Sequence, residues 1–100
     1  MARLNAGDVD GLVDLYEPDA VLARPDGGVA TGADEIRRFY ERLVAGRPTF
    51  EPGTQLRTLL WGDLALTSSR LANGTITVEV ARRQPDGTWR WVLDKPDVNA

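Results

Sequence analysis

The chain of 100 residues contains no cysteine and no histidine. Without cysteine there is no disulfide framework, thiol nucleophile or thiolate metal site, and without histidine the commonest metal ligand and general base are both missing. Metal catalysis is not expected, and no motif calls for a cofactor. Long hydrophobic runs are lacking too: no segment approaches the roughly 20 apolar residues that span a bilayer, and the opening "MARLNAGD" has no signal-peptide core. A cytoplasmic protein without membrane contact is expected. The arginines are scattered rather than clustered and the net charge is -3, so nucleic acid is not an expected partner. Proton chemistry is left to carboxylate, tyrosine, lysine or arginine-assisted water.

A composition of 42% hydrophobic and 27% charged residues describes one soluble domain spanning residues 1–100. In "GDVDGLVDLY" Asp8 is placed to cap a helix, Asp10 suits its positive end, and Val9, Leu12, Val13 and Tyr16 recur at helical spacing until Pro18 stops it. The segment "ADEIRRFYERLVAG" is the clearest helix, with Asp34 and Glu35 in its first turn. Ile36, Phe39, Tyr40, Leu43 and Val44 form one stripe, and Gly46 marks the end. Between them, "VLARPDG" reads as a short strand on which Leu22 and Arg24 share a face. Runs at 55–61, 64–71, 75–83 and 88–93 are rich in β-branched and aromatic residues and predict an antiparallel meander.

Turn chemistry sets the expected register. A two-residue Asn73-Gly74 turn pairs Arg70 with Thr77 and Ser68 with Glu79, which puts Leu71, Ile76, Val78 and Val80 on the other face. The "QPDG" turn admits three or four loop residues, and the choice flips Trp89 and Trp91 between faces. A four-residue loop is the preferred reading. It places Trp89, Trp91 and Leu93 with the apolar face, and Arg90, Val92 and Asp94 with Glu79.

The stretches "LNAGDVDGLVDLYEPDAVLARP", "TGADEIRRFY", "GDLAL" and "RRQPDGTWRWVLD" resemble the nuclear transport factor 2-like superfamily, close to the SnoaL-like polyketide cyclases and ketosteroid isomerase homologues. The likeness runs from Leu4 to about Pro96. It implies an α+β, cystatin-like fold: a cone-shaped roll in which a curved antiparallel sheet wraps short helices around a pocket. The helix before "NAGD" is expected to be truncated to Met1–Leu4. In the isomerases the position of Arg24 holds the catalytic base, which arginine cannot be, and the oxyanion tyrosine lies on that shortened helix. Glu79 matches the acid that donates to the oxyanion, and Tyr40 the tyrosine that supports it.

The resulting expectation is a pocket for a small apolar ligand. Glu79 and Asp94 would act as acid and base, Arg70 would orient charge, and Arg24, Tyr40, Tyr16, Leu66, Ser68 and Val92 would form the lining. Two carboxylates with an arginine are similar to the arrangement of limonene-type epoxide hydrolases, so isomerase, cyclase and hydrolase chemistry all remain open. Each residue also has a plainer reading: Glu79 in an exposed pair with Arg70, Tyr40 in the core, Arg24 turned to solvent, and Asp94 paired with Lys95 or Arg90. The competing function is a non-catalytic ligand-binding or dimerisation module. A homodimer through Ile76, Val78, Val80, Trp89 and Trp91 is expected, because the helices cover only one face of the sheet.

Overall fold

The computed structural model describes residues 8–46 and 53–98. The shortened helix expected over Met1–Leu4 lies outside them. The first element, α1 (Val9–Val13), begins where the Asp8 carboxylate accepts the Gly11 N–H at 2.9 Å, and it buries Gly11, Leu12 and Val13. It ends earlier than the spacing predicts. Asp14 and Leu15 close a turn, and Tyr16 opens β1 (Tyr16–Ala23). Pro18 does not stop a helix; it stands inside β1, where the pairing with the neighbouring strand breaks between Tyr16 and Val21 and no ladder N–H is required.

Strand β2 (Val29–Thr31) folds back on β1 and leads into α2 (Gly32–Ala45). Thr31 supplies no side-chain cap; instead the Glu35 carboxylate reaches back to the Thr31 N–H at 2.9 Å. The expected stripe is the buried one. Ile36 is fully buried and Tyr40 nearly so, while Phe39 and Leu43 pack half-buried against the same cluster.

The expected strand at 55–61 is broken into β3 (Thr54–Gln55) and β4 (Leu59–Trp61), both pairing with β5 (Leu64–Arg70). Strands β6 (Ile76–Arg83) and β7 (Trp89–Lys95) complete the meander. The sheet order is β2-β1-β7-β6-β5-β3, an unclosed, curved sheet. It is mixed rather than purely antiparallel, because β1 runs parallel to β7. The helices cover one face, where Leu12, Tyr16, Ala20, Leu22, Ile36 and Tyr40 form the centre of the core.

Three hairpins share one loop. In Pro25-Asp26-Gly27, Ala72-Asn73-Gly74 and Pro85-Asp86-Gly87 the glycine has φ of 89, 88 and 86 degrees. In each, the Asp or Asn Oδ1 accepts the N–H two residues on, at 2.8 to 2.9 Å. A type I turn followed by a left-handed glycine makes a three-residue loop. This corrects both expected turns by one residue.

The first correction pairs Thr67, not Ser68, with Glu79, and Arg70 with Ile76. Paired residues share a face and neighbours alternate, so Leu66, Ser68 and Arg70 lie on the outer face, away from Glu79. The second pairs Arg83 with Trp89 and Ala81 with Trp91, turning both tryptophans toward the helix side. Trp91 packs against the core and its N–H donates to the Leu15 carbonyl at 2.7 Å, while Trp89 lies beneath the Arg83 guanidinium. A bulge then leaves Val92 unpaired and restores the expected faces beyond it: Leu93 opposes Val80 and Asp94 opposes Glu79.

Candidate functional site

The register lines up a row across the inner face: Thr67 on β5, Glu79 on β6, Asp94 on β7 and Leu22 on β1. The first three are half-buried and Leu22 is wholly buried. Asp94 Oδ2 accepts the Tyr16 hydroxyl at 2.5 Å, and the Tyr16 and Tyr40 oxygens stand 2.6 Å apart. A phenol has one proton to give. Since that of Tyr16 goes to the Asp94 carboxylate, Tyr40 donates to Tyr16, and the chain runs Tyr40 to Tyr16 to Asp94. Glu79 is held from the other side by the Thr67 hydroxyl at 2.7 Å.

Burial dominates the electrostatics of this row. It raises the Asp94 carboxyl to about 6, the Tyr16 hydrogen bond opposing the rise and the charge of Glu79 adding to it. Burial likewise pushes Tyr40 up to about 12 and raises Tyr16 well beyond the ordinary phenol range, the latter assisted by the Asp94 charge. Both phenols are therefore neutral donors at any physiological pH. Asp94 changes charge close to neutrality, which suits a general base or acid.

Of the residues predicted for the site, Glu79, Asp94, Tyr16 and Tyr40 come together. Arg70, Ser68 and Leu66 do not, for the register reason given above, and Val92 is the bulged residue. Arg24 keeps Leu22's face, because its N–H continues the hairpin to the Gly28 carbonyl at 2.8 Å. It borders a separate hollow with Phe39, Arg42 and Leu43. Thr67 was missed; the Ala-Asn-Gly loop, read as a three-residue turn, would have found it. A hollow of about 490 Å³ lies on the outer face instead, lined by Val21, Val78, Val80, Leu93, Lys95 and Val98, with Glu79 and Asp94 bordering it from the same strands. Among the described residues no group of three or more acidic side chains is placed to hold a metal, and no helix is long and apolar enough to cross a membrane.

Residues 1–93 match the family described as SnoaL-like domain. No curated protein matches the chain. Among solved structures, a ketosteroid isomerase-like protein from Erwinia carotovora atroseptica is similar at 19% identity and a TM-score of 0.72, over 94% of this chain and 83% of that one. An NTF2-like protein with a cystatin-like fold from Novosphingobium aromaticivorans is similar at 22% identity and 0.67, over 94% and 71%. A SnoaL-like protein of unknown function from Burkholderia thailandensis follows at 21% and 0.64, over 94% and 83%. At these identities the likeness is one of fold.

Proposed function

Because the chain belongs to the SnoaL-like domain family, with the base position of its isomerase relatives occupied by Arg24, we propose that it binds a small apolar molecule over the Glu79–Asp94 pair and that Asp94 is its general base. The juxtaposition of two half-buried carboxylates with a Tyr40–Tyr16 donor chain carries this reading. Asp94 takes a proton from a C–H or O–H of the ligand, Tyr16 steadies its ionised form, and burial, with the charge of Glu79 adding to it, keeps its proton affinity near neutrality. Isomerisation, cyclisation and hydrolysis can each begin with that transfer.

The test is a carboxyl NMR titration combined with binding of 2-naphthol, an apolar molecule with one acidic hydroxyl. Asp94 should titrate near 6, lower in Glu79→Gln and higher in Tyr16→Phe. Asp94→Asn should weaken 2-naphthol at least about tenfold, a change of about 1.4 kcal/mol. Unchanged affinity in that variant would sink the reading. A non-catalytic binding module is the second reading, favoured by one observation: the hydroxyl protons of Tyr16 and Tyr40 are both committed inside the chain, leaving neither for an oxyanion.

We further propose that the outer face pairs with a second copy of this chain in the cytoplasm. Leu59, Trp61, Leu66 and Leu93 are exposed there, around the hollow floored by Val78 and Val80, with Ile76 beside them. A self-complementary apolar face of this kind suits a two-fold dimer. Trp89 and Trp91 play no part in it, since both lie on the helix side. Light scattering at micromolar concentration should give twice the chain mass, and Leu93→Asp should give a folded monomer. A monomeric unmutated protein refutes the pairing.

A further inference from the structure

The hollow between the β1–β2 hairpin and α2 is distinct from the Asp94 row. It has a volume of about 380 Å³ and is lined by Arg24, Pro25, Asp26, Phe39, Arg42 and Leu43. Phe39 and Leu43 are one helical turn apart on α2 and give it an apolar floor. The Phe39 ring packs edge-on against Tyr40 at 5.2 Å, on the side toward the Asp94 network.

The arginines are what make this hollow a site. Arg24 lies over Gly28, where a Cβ would fall 2.2 Å from its Nη2, so the absence of a side chain at position 28 gives the guanidinium its seat. Arg24 Nε is buried without a hydrogen-bond partner. Its nearest carboxylate oxygen, Asp26 Oδ1, is 3.4 Å away and already accepts the Gly28 N–H at 2.8 Å. A buried N–H left in this state is costly unless something else accepts it. Arg42, exposed on the last turn of α2, has no ion-pair partner among the described residues. Two guanidinium groups against one carboxylate leave the hollow a net positive charge beside an apolar floor.

We propose that this hollow binds a small amphipathic monocarboxylate. Its carboxylate lies between Arg24 and Arg42, accepting from the planar donor forks that suit carboxylate geometry. Its apolar body rests on Phe39 and Leu43. The site does not depend on the role given to Asp94.

The probe is 2-naphthoate, with 2-naphthalenemethanol as its neutral counterpart and inorganic phosphate as the bare anion, measured by calorimetry and by the Nε–H resonance of Arg24. Naphthoate should move that resonance, and Arg24→Gln should weaken it at least about tenfold. Arg42→Gln should weaken it by a smaller factor, and the alcohol and phosphate should each bind at least about tenfold more weakly than naphthoate. Gly28→Ala keeps both charges and displaces only the flexible end of Arg24, so it should lower affinity with the melting temperature nearly unchanged. Equal affinity for Arg24→Gln, an alcohol or phosphate binding as tightly as naphthoate, or shifts that fall on Asp94 rather than Arg24 would each overturn the proposal.

Discussion

Asp94 is where function and stability pull in opposite directions. Its pKa is about 6 in the fold against an ordinary 3.8, so the folded chain binds the proton more tightly than the unfolded one. The stability this contributes is complete below about pH 4 and is lost as the pH rises through about 6. Asp94→Asn keeps an acceptor for Tyr16 without the buried charge, and should raise stability at pH 7 by up to about 3 kcal/mol while changing little at pH 4. Thermal melts at the two pH values check this; equal effects at both would mean Asp94 is ionised at no cost. That Asp94 shares a face with Glu79 was legible in the sequence only because two one-residue shifts of register, the shorter loop and the bulge at Val92, together restore the face and bring Asp94 directly opposite Glu79. Tyr16 was harder to place. Its spacing from Val9, Leu12 and Val13 is helical, and nothing local announces that the helix ends at Val13, since the Trp91 N–H that donates to the Leu15 carbonyl is supplied by tertiary contact.

At the scale of elements, α2 was readable end to end because its stripe is long and its periodicity unambiguous, whereas the strands depended on turns. Two-residue and three-residue loops both use Asn-Gly, and they differ in how many residues are left-handed: both Asn73 and Gly74 in the former, Gly74 by itself in the latter. Replacing Gly74 or Gly87 by alanine forces that residue into left-handed space and should cost about 1 kcal/mol each. Denaturant melts should show a lower midpoint with an unchanged slope. An unaffected Gly74→Ala variant would mean that Gly74 does not hold the left-handed position on which this loop depends. Because a register slip of one residue moves a whole strand to the opposite face, the length of this one loop decides whether Glu79 meets Thr67 or Ser68.

For the whole molecule, the outline was legible from the order of elements, since two helices followed by a β-rich second half can bury their stripes only by lying on a sheet. What the sequence does not reveal is that the sheet is joined along β1 and β7, segments at opposite ends of the chain. The Tyr16–Asp94 hydrogen bond bridges 78 residues. Local contacts such as the β5–β6–β7 hairpins close small loops, but this pairing must bring together two ends whose separation entropy is recovered only once the rest is in place. Its interactions should therefore be absent from the folding transition state. In stopped-flow experiments followed by tryptophan fluorescence, Tyr16→Phe should accelerate unfolding and leave the folding arm of the chevron nearly unmoved. A folding arm slowed in proportion to the lost stability would place β1 in the nucleus instead. If β1 docks last, it is also the first strand to leave, so the donor chain that steadies Asp94 is the part of the molecule most quickly lost when the fold loosens.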